Sequence, residues 1–213
     1  MRSRFPLIVA IAFILLFCPS IVAASTKGEI QLGFKAGGRL STFTGTDTWS
    51  SGMRRTFSAG FFGNYSLGSQ ISIQLEINYA AKGSIEDVLV GNTLLKGKIK
   101  VDYIEIPVLF RLAYSRQSSV VPRIFLGPAI GILIKEEGVV KYEGRDLAWV
   151  LQNTRSLDLG IAFGLGLDIA TRHGIITFDF RVTPALSTLH EDYPEFDRKN
   201  ISLALQVGFA IVR

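Results

Sequence analysis

Large apolar residues alternate with small or polar ones along most of this chain, and the longest unbroken case runs from Leu157 to Ile169. Leu157, Leu159, Ile161, Phe163, Leu165, Leu167 and Ile169 share one parity, and Asp158, Gly160, Ala162, Gly164, Gly166 and Asp168 share the other. A period of two puts each set on its own face of an extended strand. A soluble sandwich would show water a face rich in Lys, Thr and Ser, whereas here the second face is glycine and alanine with two carboxylates. Small residues suit a crowded, concave side. The pattern predicts a closed barrel with hydrocarbon outside and a narrow polar core, built from strands of roughly 9 to 11 membrane-spanning residues.

The same alternation recurs seven more times. Ile30, Leu32, Phe34 and Ala36 open the series, and Phe57, Ala59, Phe61, Gly63 and Tyr65 form the second strand. Ile71, Ile73, Leu75, Ile77 and Tyr79 form the third, with Ser72, Gln74, Glu76 and Asn78 facing the other way. The fourth, 98–112, changes parity: Ile99, Val101 and Tyr103 are apolar at odd positions, then Ile104, Ile106, Val108, Phe110 and Leu112 at even ones. A bulge near Tyr103 or an extension above the bilayer would account for it. Pro107 removes a ladder donor and predicts a weakly paired position. The fifth strand runs from Ile124 to Ile134, the sixth is 157–169, the seventh carries Ile176 to Leu186, and the last alternates from Ile201 to Ile211. Connections run long (41–54), short (Gly68-Ser69), long (82–97), moderate (115–122), long (135–155), short (171–174) and long (187–199). Long loops at one end and short turns at the other are the asymmetry of outer-membrane barrels. The expected fold is an all-β, eight-stranded antiparallel up-and-down transmembrane β-barrel.

Composition agrees. Mean hydropathy is +0.32, yet past the N-terminus no apolar run reaches the roughly 18 residues of a spanning helix, so the apolar excess is spread over short segments. The first residues read as an export signal: Arg2 and Arg4, an apolar stretch from Phe5 to Phe17, Pro19, and small residues at Val22-Ala23-Ala24. The domains expected are a signal peptide over 1–24 and a barrel over 25–213. Cys18 lies within the signal behind Phe17, where a lipoprotein motif would need a small residue, so the exported chain has no thiol chemistry. Losing Arg2 and Arg4 lowers the net charge from +5 to +3, too slight and dispersed for nucleic acid.

With the strands laid out, the sequence resembles the PorT-like family of outer-membrane β-barrel domains. The resemblance rests on Gly33-Phe34-Lys35-Ala36-Gly37, Leu75-Glu76-Ile77-Asn78-Tyr79 with Lys82-Gly83, Tyr103-Ile104-Glu105-Ile106-Pro107, Gly127-Pro128 and Gly164-x-Gly166. Such barrels often finish on an aromatic residue, and here Phe209 is nearest the end. The family's namesake is linked to protein secretion, so the resemblance implies a structural, partner-binding or secretion-related role in the outer membrane. It also implies contact with outer-membrane lipid, the barrel assembly machinery and other envelope proteins.

Candidate chemistry is sparse. Inside an eight-stranded barrel there is room for side chains and little else, so the inward charges Lys35, Glu76, Glu105, Arg111, Asp158, Asp168, Asp179 and Arg181 are expected to form a neutralising polar plug. Asp179, Arg181 and Asp168 are expected to pair near the short-turn end, with Glu76, Glu105 and Lys35 meeting higher up. Ser187 and His190 could act as nucleophile and base in the alternative of a lipid-modifying barrel enzyme, though the spacing is loose and no acid is assigned. A soluble ligand-binding barrel, the other alternative, needs an apolar lumen and a wet exterior. His173 beside Gly174 reads as a solvated turn residue. No metal-ligand spacing or phosphate loop is present, and Gly164-x-Gly166 opens no helix, so no cofactor is expected. Aromatic and apolar loop residues, Trp49 and Trp149 foremost and also Phe43, Leu94, Leu95, Tyr193 and Phe196, are candidate partner contacts. The expected protein is a non-enzymatic monomer.

Overall fold

The computed structural model describes residues 27–45, 50–90, 93–114, 118–142, 145–149, 154–189 and 198–213, apart from the side chains at 50, 51, 89, 90 and 149. The signal segment, Cys18, Trp49, His190, Tyr193 and Phe196 lie outside the described residues. Among the described residues nine strands follow in order: β1 (Ile30–Thr44), β2 (Ser50–Ser66), β3 (Ile71–Val90), β4 (Thr93–Ala113), β5 (Val120–Tyr142), β6 (Arg145–Trp149), β7 (Leu157–Thr171), β8 (Gly174–Pro184) and β9 (Lys199–Val212). All neighbours are antiparallel. Eight of them close a ring, β1-β2-β3-β4-β5-β7-β8-β9, and β6 pairs only with the outer end of β5.

The register fixes the geometry of that ring. Paired residues lead from Arg55 on β2 to Leu40, Leu203, Val182, Phe163, Leu126, Phe110, Ile73 and back to β2 at Tyr65. One circuit therefore descends from position 55 to position 65, a stagger of ten residues. With ~3.3 Å per residue and ~4.8 Å between strands, that stagger over eight strands sets a tilt of about 40°.

Exposure settles which face meets lipid. Phe34, Phe61, Ile77, Phe110, Ile124, Leu165 and Leu205 are exposed, while Lys35, Asn64, Glu76, Glu105 and Arg181 of the opposite parity are buried. This is the reverse of a soluble barrel's distribution, and it rules that alternative out, since water does not tolerate so large a contiguous apolar surface. On β5 the outward apolar positions run from Ile124 to Ile134, a span of about 25 Å along the barrel axis at this tilt, the height of an outer-membrane apolar band.

Three of the segments expected to be long loops are instead strand. β1 and β2 reach into 41–54, β3 and β4 form a hairpin through most of 82–97, and β5 with β6 occupies much of 135–155. Ordinary outward alternation stops at the membrane surface, so these extensions do not resemble the spanning strands. The fourth strand makes this explicit. Odd positions from Ile99 to Arg111 face inward throughout, and what inverts near Tyr103 is the surroundings: Lys96, Lys98, Lys100 and Asp102 lie on the outward parity above the lipid, while Ile104 to Leu112 meet it. A register shift does sit at Asp102/Tyr103, but the extra residue, Ile134, belongs to β5. Pro107 falls where the β3–β4 ladder is interrupted opposite Glu76 and Ile77.

Above the membrane, Ile99, Val101 and Tyr103 pack with Phe43 of β1 and Leu189 of the β8–β9 connection, with Leu133 against them. Phe43 is thus part of a buried apolar plug over the outer mouth of the lumen, not a loop contact. Across the β2–β3 register shift the Thr56 hydroxyl donates to the Ala81 carbonyl at 2.8 Å and the Arg54 guanidinium donates to that of Lys82. Backbone acceptors at the interruption thereby find side-chain donors.

Candidate functional site

Every charged residue expected in the lumen faces inward, and seven of the eight are buried, with Asp168 half-buried towards the short-turn mouth. Alternate positions on a tilted ring send long side chains across the axis. β3 and β8 are four places apart in the ring, hence opposite each other, and Arg181 of β8 spans the lumen to Glu76 of β3 through two parallel bonds, Nη1 to Oε2 at 2.9 Å and Nη2 to Oε1 at 2.7 Å. Lys35 Nζ joins the same carboxylate at 2.6 Å and Asp179 at 2.9 Å. Asn78 donates to Glu76 Oε2 at 2.8 Å, and Gln74 donates to Oε1. Arg123 donates to Asp179 and to Thr177 Oγ1 at 2.9 Å, and reaches Asp168 at 2.7 Å, where Arg111 also ends at 2.7 Å.

A second cluster lies nearer the plug. Arg39 and Lys82 both meet Glu105, at 3.2 and 2.8 Å, and Lys82 also meets Asp158 at 3.1 Å. Asn200 and the Ser187 hydroxyl donate to the two oxygens of Asp158, each at 3.3 Å. Inward aromatic rings cover the cations: Phe62 under Lys35 at 5.2 Å, Phe125 under Arg181 at 5.3 Å and Tyr103 under Lys82 at 5.2 Å.

The expected pairing therefore needs correction. Arg181 goes to Glu76, not to Asp168, and Lys35 bridges Glu76 and Asp179, while Glu105 belongs to the other cluster. Parity along a strand gives the face of a residue. Its height follows from a stagger that the strand alone does not carry. Three charged members of the network escaped the sequence reading: Arg39, Lys82 and Arg123, all buried. Each lies on the inward parity just beyond where its strand seemed to stop, two residues past Gly37, four past Asn78 and two before Phe125.

Chemically, this arrangement locks a lumen instead of opening one. Cations and carboxylates alternate across the axis, and the plug caps one end. On the outward side of the extension, Lys135 and Lys100 hold the Glu137 carboxyl below its usual range through hydrogen bonds at 3.2 and 3.3 Å. His173 sits exposed in the β7–β8 turn, its backbone N–H on Thr171 Oγ1. Leu94 is exposed at the β3–β4 tip, and the backbone at 149 lies in β6.

Residues 23–191 match the family described as outer membrane protein beta-barrel domain. The chain belongs to that family. An outer membrane barrel of this kind resides in the outer membrane of a Gram-negative-type envelope, and the lipid-facing girdle described above is the physical counterpart of that location. No curated protein matches the chain. Among solved structures it is similar to OprG from Pseudomonas aeruginosa, at 13% identity over 88% of this chain and 98% of OprG, TM-score 0.49. It is likewise similar to the outer membrane protein AlkL in lipid bilayers, at 15% over 92% and 94%, TM-score 0.49. Neisserial surface protein A is 13% identical over 85% of this chain and 98% of its own, TM-score 0.47.

Within the outer membrane barrel, glycine makes room for the ion pairs. A Cβ on Gly166 would stand 2.5 Å from Arg123 Cζ and 2.7 Å from Asp179 Oδ1. Those atoms end flexible side chains, but here they are held on both sides by their partners. Gly166→Ala is expected to cost about 1–3 kcal/mol in urea unfolding from detergent micelles, as overpacking does. An unchanged midpoint would mean the Arg123–Asp179 pair is free to move aside.

Proposed function

We propose that this protein is a sealed, non-enzymatic barrel of PorT-like type that serves as a partner-binding component of an envelope assembly or secretion system, working through the sheet it raises above the membrane. The observation that carries this reading is that sheet. β3, β4 and β5 continue well past the apolar band and gain β6, making a four-stranded surface order β3-β4-β5-β6, with the apolar plug at its base. Regular, cross-paired strands hold their side chains in fixed positions, which suits recognition better than a free loop would. The closed ring leaves no spanning strand unpaired, which supports a monomer within the bilayer, inserted by the barrel assembly machinery and surrounded by outer-membrane lipid. The Ser187 hydroxyl already accepts from the Leu159 N–H at 2.9 Å and donates to Asp158, which supports a structural use of this serine over a nucleophilic one.

Deleting the hairpin tip, residues 87–96, is expected to abolish recovery of envelope partners in a pull-down from intact cells while the barrel still folds. If the truncated and full chains recover the same proteins, the raised sheet is not the binding surface. Purified protein in planar bilayers is expected to give no unitary conductance, because two ion-pair clusters and a plug lie in series along the axis. Steady single-channel openings would overturn the sealed reading.

A further inference from the structure

Strands within the bilayer have a partner on both sides, whereas β6 has one. It pairs with β5 along 138–142, and among the described residues nothing pairs with its other edge. The strand that follows β7 round the ring, β8, ends at Pro184, well below it. Alternate residues of β6 turn both N–H and C=O to that open side, and the group that answers such a row is another extended backbone. Both faces of β6 are open as well. Arg145 and Leu147 lie on the inward parity shared with Val140, Asp146 and Ala148 on the outward one, and all four are exposed, Leu147 by 44%. Five residues are too few to collect strands indiscriminately, so the side chains set which strand fits.

We infer that β6 takes up an extended segment of another envelope protein as a further antiparallel strand, one that reads apolar, basic, acidic in consecutive positions opposite Leu147, Asp146 and Arg145. This deepens, and rests on, the reading of the raised sheet as a partner surface. Cross-strand neighbours carry the selectivity. Leu147 offers bare apolar surface to its neighbour, and among the described residues Arg145 has no carboxylate within ion-pair distance, so an acidic residue two places beyond the apolar one completes it. Asp146 meets Lys141 of β5 only at 4.0 Å, which leaves its open side for a second cation. A second copy in the same membrane does not fit. A twofold axis along the membrane normal keeps β6 pointing the same way in both copies but tilts them to opposite sides, so strands tilted by about 40° cross at about 80° and form no ladder.

The probe is a fluorescein-labelled cyclic peptide held as two strands, one of them reading Thr-Thr-Val-Lys-Glu-Thr-Thr, since cyclisation removes most of the ordering cost. It is to be titrated by fluorescence anisotropy against full-length protein in phosphatidylcholine nanodiscs. Saturable binding is expected, and none from a peptide N-methylated at the amides of its open edge, which keeps every side chain and removes only the ladder donors. Arg145→Glu, a change at an exposed residue, is expected to weaken binding about fivefold, and a peptide with Lys in place of its Glu to restore it. Absence of saturable binding, or binding indifferent to N-methylation, overturns strand addition, and unchanged affinity of Arg145→Glu overturns the assigned register. The peptide is matched to β6 alone, so its failure leaves the raised sheet standing as a partner surface, and deletion of 87–96 tests that reading without touching β6.

Discussion

Glu76→Ala is expected to destabilise the barrel by about 3–5 kcal/mol, the cost of removing one partner from a buried ionic group and leaving the others uncompensated. Glu76 receives both Nη atoms of Arg181, Lys35 Nζ, Asn78 and Gln74, and all of these are buried. Without it, among the described residues Arg181 keeps no other direct ion pair and Lys35 keeps only Asp179. The measurement is equilibrium urea unfolding in lipid vesicles, followed by tryptophan fluorescence. The network is a costly way to fill space, because desolvation consumes most of what the charges gain from one another. Replacing the triad together, Lys35→Met, Glu76→Met and Arg181→Met, is accordingly expected to restore most of the loss. A triple variant as unstable as Glu76→Ala would show that packing, not unpaired charge, sets the cost.

Such a network carries information of a kind that apolar filling cannot. Arg181 and Glu76 are 105 residues apart and sit on opposite walls, so their pairing is satisfied only when the ring closes with its ten-residue stagger. A strand slipped by one residue would turn these groups to the lipid and leave their partners alone.

The inside-or-outside choice for most residues was legible because hydrocarbon demands it at every second position; Leu157 to Ile169 alone predicted a membrane strand. Two things escaped for physical reasons. Contact across the axis depends on stagger, which belongs to the ring, so Lys35 and Glu76 could be placed inside while their company could not. The raised sheet escaped because alternation changes meaning at the membrane surface. Ile99 and Val101 point inward just as Glu105 and Leu109 do, yet they read as a shift of parity because lipid no longer claims the opposite side. An inversion of apolar parity within one uninterrupted strand is thus itself a marker of where bilayer ends and water begins.

That boundary gives the second large effect. Phe61 and Leu94 are similarly exposed, at 73% and 66%, but Phe61 lies midway along the apolar run of β2 and Leu94 at the tip of the β3–β4 hairpin beyond it. In a water-soluble protein, replacing either by arginine would be nearly neutral. Here Phe61→Arg is expected to cost about 2–4 kcal/mol, the price of a cation near the bilayer midplane, whereas Leu94→Arg should stay within about 0.5 kcal/mol, as surface substitutions do. Both are read by reversible unfolding in the same vesicles, so that lipid thickness and composition cancel in the comparison. Equal costs at the two sites would mean that hydrocarbon does not surround Phe61, and with it would go the orientation of the whole barrel.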